Sequence, residues 1–186
     1  MDTAARPLDA RSDLVIDTVD LGRGAGRMMQ VRRTVEAPAE LGIEVIGVPQ
    51  GSPVELDLRL ESVVEGVLLT GTAEVRMAGQ CVRCLVDLTD DEVVDFQELY
   101  VYPDNAEADA ETEDEIRHLQ GDLLDLEPVL RDAVVLDLPF QPLCRPDCRG
   151  LCPECGADLN ADPEHGHDAP IDPRWSGLTS WPEEES

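Results

Sequence analysis

Six cysteines and two histidines are the residues of this chain best suited to chemistry, and their spacing points to metal. Cys144, Cys148, Cys152 and Cys155 fall within one short stretch, CRPDCRGLCPEC. Cys81 and Cys84 form a second Cys-x-x-Cys pair further upstream. Two intervening residues let both thiolates turn inward on a tight knuckle and hold a single ion. In Cys152-Pro153-Glu154-Cys155 the next residue is Gly156, which can take the positive φ that such turns often need. His165 and His167 follow ten and twelve residues after Cys155. Structural zinc, as one or two ions, is the expectation.

The pairing of ligands is open at this level. One arrangement gathers Cys144, Cys148, Cys152 and Cys155 around a single zinc and leaves the first pair free. Another makes two tetrahedral sites from eight ligands. In that case Cys81, Cys84, Cys144 and Cys148 form one, and Cys152, Cys155, His165 and His167 the other. Competing chemistries are a structural disulfide, thiol redox catalysis and a rubredoxin-like iron site. A reducing compartment argues against the disulfide. Redox motifs of the thioredoxin type lie at a helix N-terminus after a strand, whereas Cys81 and Cys84 fall between two strand patterns. Rubredoxin cores are small and aromatic, and here only 3% of residues are aromatic.

The elements that must position these ligands are mostly strands. Met29, Val31 and Val35 alternate with polar residues. Val54, Leu56, Leu58 and Leu60 alternate with Glu55, Asp57, Arg59 and Glu61, the cleanest period-two signal in the chain. Glu65-Gly66 reads as a turn, and Val67, Leu69, Gly71, Ala73, Val75 and Met77 carry the next strand up to Cys81. A third strand starts near Leu85 and continues through Val94, Phe96, Tyr100 and Tyr102. The Cys81/Cys84 pair therefore belongs at a hairpin tip. Val129, Leu130, Ala133, Val134 and Leu138 share one helical face, with Asp125 or Glu127 near the start, Pro128 in the first turn and Pro139 as the stop.

The expected fold is α+β: an antiparallel, barrel-like or strongly twisted sheet, one main helix, an acidic loop and a Cys-rich C-terminal metal-binding segment. Residues 1–20 read as a docking arm or a loose edge strand, and 21–156 as one domain. Residues 103–120 read as an acidic disordered loop, 144–156 as the Cys-rich segment, and 157–186 as a mostly disordered tail carrying Trp175 and Trp181.

The net charge of -27 disfavours tight binding to bare nucleic acid, because such a chain releases no counterions from phosphate. All fourteen basic residues are arginine. Residues 86–138 hold eighteen Asp or Glu against two Arg. A basic protein partner suits this field. Arg23, Arg27, Arg32 and Arg33 form a basic cluster, read first as partners for the protein's own acids and second as phosphate contacts. The N-terminus lacks a secretory pattern and no run is long enough to span a membrane, so the cytoplasm is expected. There is no Gly-rich phosphate loop, nucleophile elbow or His-Glu-x-x-His, so no enzyme is expected, and no small-molecule substrate.

Several features in order resemble a known family. They are Thr70-Gly71-Thr72-Ala73-Glu74-Val75 leading to Cys81-Val82-Arg83-Cys84-Leu85, an acidic strand and loop, then Asp122-Leu123-Leu124-Asp125-Leu126, the helix, and Leu138-Pro139 before the Cys-rich end. This order is similar to the YceD-like family of large ribosomal RNA subunit accumulation proteins, over roughly residues 20–160. The ending CRPDCRGLCPECGADLN resembles the version found in Gram-positive bacteria. The resemblance implies a role in making, processing or stabilising large-subunit ribosomal RNA, and family members are commonly encoded beside a large-subunit ribosomal protein. It carries over no catalytic residues. The implied partner is a basic ribosomal protein or a large-subunit precursor particle, with any direct RNA contact from Arg23, Arg27, Arg32, Arg33 and Arg83. Two other classes stay open: a zinc-ribbon adaptor with a partner unrelated to ribosomes, and a thiol oxidoreductase with a reactive Cys81 or Cys84.

Overall fold

A computed structural model describes residues 7–105 and 116–167. Residues 1–6 of the expected arm, 106–115 of the acidic loop and 168–186 of the tail, with both tryptophans, lie outside the described residues.

A long hairpin organises the chain. β6 (Gly66–Gln80) and β7 (Asp87–Val101) pair antiparallel throughout, from Gly66↔Val101 to Gln80↔Asp87. Val67, Leu69, Ala73 and Val75 of β6 and Val94, Phe96 and Tyr100 of β7 are buried, as their period-two spacing requires. β5 (Pro53–Ser62) pairs with β6 on its other side, and β2 (Met28–Glu36) pairs with β5. On β5, Leu58 and Leu60 are fully buried, and each contributes roughly 2 kcal/mol through apolar area removed from water. The alternate residues Asp57 and Glu61 face solvent and meet Arg32 and Arg59 there.

The hairpin of β3 (Leu41–Ile43) and β4 (Ile46–Val48) leaves no mark in the sequence pattern, because its strands are too short to show a period. It joins β6 at Ala78 and Gly79, just past the stretch that β5 covers. β1 (Val15–Asp17) pairs with β9 (Leu123–Asp125), so Val15 and Ile16 are held in the protein by a strand partner rather than free in an arm. β8 (Arg117–His118) runs parallel to the end of β7. Residues 116–120 are therefore ordered, and Leu119 is buried, where a disordered loop was expected. The cause is a hydrophobic anchor that composition over a long acidic window hides.

α1 (Glu127–Asp137) begins where the Asp125 carboxylate accepts the Glu127 N–H at 3.1 Å, and Pro128 occupies the first turn. It ends at Leu138, which is extended ahead of Pro139. Val129, Leu130 and Val134 face the core. The helix touches both β3 and β7, which lie on opposite sides of β6, so the sheet curls around it. The sheet is antiparallel in the main and carries one α-helix among the described residues, as expected; β2 and β8 do not pair, so it curls without closing into a barrel. From α1 the chain runs to Cys144 beside the tip of the β6–β7 hairpin.

Candidate metal centres

The eight ligands fall into two groups of four. Cys81, Cys84, Cys144 and Cys148 bring their sulfurs within 4.8 Å of one another. Cys152, Cys155, His165 and His167 do the same with their ligating atoms. The single-ion arrangement of Cys144, Cys148, Cys152 and Cys155 is not formed, because the last two turn away into a separate knuckle.

The first group joins distant parts of the chain. Cys81 and Cys84 lie in the turn after β6, at the hairpin tip that the strand pattern implied. Cys144 and Cys148 come from the segment after α1. Val82 N–H donates to the Pro142 carbonyl at 3.0 Å, and the Arg83 guanidinium donates to the Cys148 carbonyl at 2.8 Å. Cys81 and Cys148 are buried, whereas Cys144 is exposed.

The two Cys-x-x-Cys turns share one backbone pattern. Leu85 N–H donates to the Cys81 carbonyl at 2.9 Å, and Gly156 N–H to the Cys152 carbonyl at 2.8 Å. Cys81 N–H donates to the Val86 carbonyl at 2.9 Å, and Cys152 N–H to the Ala157 carbonyl at 2.8 Å. The residue after each second cysteine has positive φ: 75° at Gly156, as expected, and 60° at Leu85. The turns differ in which residue bears that conformation.

The distances fit a tetrahedral ion. Zinc–sulfur bonds of about 2.3 Å put the edge of an all-sulfur tetrahedron at about 3.8 Å. Cys81 and Cys148 sulfurs lie 3.8 Å apart, and those of Cys84 and Cys144 3.6 Å apart. In the second group Nε2 of His165 lies 3.2 Å from the Cys155 sulfur, and Nε2 of His167 3.3 Å from that of Cys152. The two Nε2 atoms are 3.0 Å apart. Edges of about 3.5 and 3.3 Å are expected for sulfur–nitrogen and nitrogen–nitrogen pairs, so this group is a few tenths of an ångström tight.

Electrostatics point the same way. Burial pushes the Cys81 thiol up, but N–H groups of Cys144, Cys84 and Arg83 outweigh it and hold the pKa at about 6. N–H groups of Cys155 and Glu154 bring Cys152 down to about 6 against burial. Burial and the neighbouring sulfurs push Cys144 up to about 12. Clustered thiols cannot all ionise without a cation among them.

Outer contacts complete both groups, and no motif in the sequence marks them. The Glu154 carboxylate lies 3.5 Å from Nδ1 of His167, on the side away from the ligating Nε2. Asn160 links the two groups. Its amide N–H2 donates to the Cys148 sulfur at 3.6 Å, while its carbonyl oxygen accepts from Arg149 N–H at 2.8 Å and the Arg145 guanidinium at 2.7 Å. Leu151 pairs with Asp158 in an antiparallel bridge, and Leu151 N–H donates to the Arg83 carbonyl at 3.1 Å. A Cβ on Gly150 would stand 2.8 Å from that same carbonyl, and its φ is 79°, so only glycine fits between the centres.

The arginines are dispersed. Arg23 pairs with Asp104 at 2.8 Å and lies over the Tyr102 ring. Arg32 pairs with Asp57 at 2.8 Å, and Arg33 donates to the Asp13 carbonyl at 2.8 Å. Arg27 closes the turn before β2 and has no ion pair among the described residues. Arg83 lies at the hairpin tip and Arg23 near the far end of β7, a strand of fifteen residues, which separates them by roughly 50 Å. Among the described residues no helix is long and apolar enough to cross a membrane.

A curled antiparallel sheet whose longest hairpin meets a Cys/His-rich C-terminal segment at its tip defines the class: a β-scaffold protein with two knuckle-type Cys/His clusters whose spacing is compatible with metal. The family model described as "Large ribosomal RNA subunit accumulation protein YceD" matches residues 69–180, which take in most of β6, all of β7 and α1, and all eight residues of the two Cys/His clusters. The chain belongs to the YceD family. It is 46% identical over 167 residues to the uncharacterised protein Rv2926c of Mycobacterium tuberculosis, covering 90% of this chain and 80% of that one. It is 42% identical over 168 residues to the uncharacterised protein ML1660 of Mycobacterium leprae, covering 90% and 77%. To the uncharacterised protein YlbN of Bacillus subtilis it is 24% identical over 128 residues, covering 68% and 73%. No solved structure matches.

Proposed function

We propose that this protein is a non-enzymatic factor in the making of the large ribosomal subunit, supporting synthesis, processing or stability of its RNA through contact with a basic ribosomal protein or a precursor particle. The observation that carries this reading is the family match, which covers the region holding the hairpin, the helix and both Cys/His clusters. The charge supports a protein partner over bare RNA. On β7, Asp90, Glu92 and Asp95 have no arginine partner among the described residues, while Asp91 is held by Arg76 at 2.7 and 2.9 Å. Unpaired carboxylates attract a basic chain and repel phosphate.

Zinc suits both clusters. Four thiolates accept zinc or iron, but two cysteines with two histidines make a zinc set, and closed four-ligand sites are structural. A bound zinc would hold the hairpin tip against the C-terminal segment and leave no open position for chemistry. The cytoplasm is the compartment that keeps such thiols reduced. Removing the gene from its own host tests the reading. Large-subunit ribosomal RNA should fall relative to small-subunit RNA, with precursors accumulating, and should return with the wild-type gene. An unchanged ratio during growth that demands rapid ribosome synthesis would refute it.

A further inference from the structure

The two knuckles differ at one residue in a way that zinc binding does not explain. The position after the second cysteine has a left-handed backbone in both, and one carries Gly156 while the other carries Leu85. L side chains rarely adopt φ near 60°, so Leu85 is strained where glycine would be at ease. Core packing does not compensate, because Leu85 is 58% exposed. Its neighbours Val82 and Val86 are 38% and 49% exposed. Backbone strain that holds an apolar side chain out to solvent points to a contact made with something else.

A groove lies beside it. About 410 Å³ opens between the β3–β4 hairpin and this knuckle, with Ile43, Val45, Ile46, Val82 and Leu85 in its walls. Glu44 is the charged residue that lines it. Asp87 stands next to it, held by the Gln80 amide at 3.0 Å. Arg83 is the nearby cation, and its guanidinium is engaged with the Cys148 carbonyl. The surface is an open groove with apolar side chains along its walls and the acids Glu44 and Asp87 beside them, and Cys81 of the first cluster forms part of its lining. Apolar walls accept a large side chain, and the two acids select a positively charged segment around it.

We propose that Leu85 and this groove dock an aliphatic or aromatic side chain presented by a basic segment of a large-subunit ribosomal protein. This deepens the proposed function and rests on it.

The test uses the metal-loaded full chain and individually purified basic proteins of the host's large ribosomal subunit, titrated by fluorescence anisotropy. The variants are Leu85→Gly and Val82→Ser. Wild type should bind at least one of these proteins, and Leu85→Gly should weaken that binding tenfold or more. Its metal content and thermal midpoint should be equal to those of wild type or higher, since glycine relieves the strain. Val82→Ser should weaken the same binding. If Leu85→Gly binds as wild type does, the groove is not the contact, although the ribosomal reading stands. If wild type binds none of the proteins, the inference is overturned, and the ribosomal reading then rests on contact with a precursor particle. Loss of metal in Leu85→Gly would show that the side chain is structural and overturn the inference. Self-association of wild type that Leu85→Gly abolishes would overturn it in favour of a second copy of this chain.

Discussion

Replacing Cys84 with serine should cost far more stability than replacing Cys155, although each change removes one ligand from a four-ligand cluster. Cys84 and Cys144 are sixty positions apart in sequence. An ion bridging them closes a loop of that length in the unfolded chain, which in the chain-entropy treatment of cross-links is worth about 4 kcal/mol. That loop contains β7 and α1, so the cross-link acts on the core. Cys152 and His167 are fifteen positions apart, and a loop of that length is worth about 3 kcal/mol. Yet nothing in that loop joins the hydrophobic core. Losing the second ion should loosen residues 152–167 locally and spare the sheet. For a chain of this size 1 kcal/mol moves the midpoint by roughly 2–4 °C. The zinc-loaded Cys84→Ser protein should therefore melt on the order of 10 °C below wild type, and Cys155→Ser within a few degrees of it. Differential scanning calorimetry, with metal counted on the same samples, measures both. An unchanged midpoint in Cys84→Ser, or an equal drop in Cys155→Ser, would refute the argument that the first cluster ties the hairpin to the rest of the fold.

The shared position of Asn160 predicts that Asn160→Ala weakens metal at the first cluster, to which it contributes no ligand, by about tenfold. Cobalt substitution reads this directly, since the thiolate charge-transfer band of the four-cysteine site should shift and titrate out earlier with chelator. In metal-free protein, ultraviolet thiolate absorbance should show a thiolate forming near pH 6, that of Cys81. Its pKa is depressed from 9.0, so the stability it gives the metal-free fold is present above pH 9 and is lost as pH falls through about 6. Cys144 has the opposite sign, and what it contributes is lost as pH rises from 9 towards about 12. A single titration near pH 9 would contradict both. Replacing Arg23 and Arg32 with alanine should leave the thermal midpoint nearly unchanged, because both ion pairs are solvated. The same variant should associate with precursor particles as wild type does, and loss of association would assign these arginines to RNA.

The long strands were legible because they are half-buried. Leu56, Leu58 and Leu60 point inward and Glu55, Asp57 and Arg59 outward, and that is the pattern sequence displays best. The helix was legible from one apolar face and two prolines. The hairpin-tip position of Cys81 and Cys84 followed from the strands on either side. Which cysteines come together was not legible, because spacing along the chain allows several groupings and the curl of the sheet selects one. The β3–β4 hairpin escaped because three residues show no period, and its place on β6 depends on Gly79, where a Cβ would meet the Val45 carbonyl at 2.4 Å. Asn160 and Glu154 carry no sequence mark at all. Their roles exist only once the two knuckles lie side by side.

Contact with the assembling subunit can be read from sedimentation of the tagged protein at native level, in a low-salt lysate with and without nuclease. Co-migration with large-subunit precursors that contain precursor ribosomal RNA is expected. If the protein instead stays in the top fractions under gentle conditions, while a known assembly factor in the same lysate migrates with precursors, contact with the assembling subunit is contradicted.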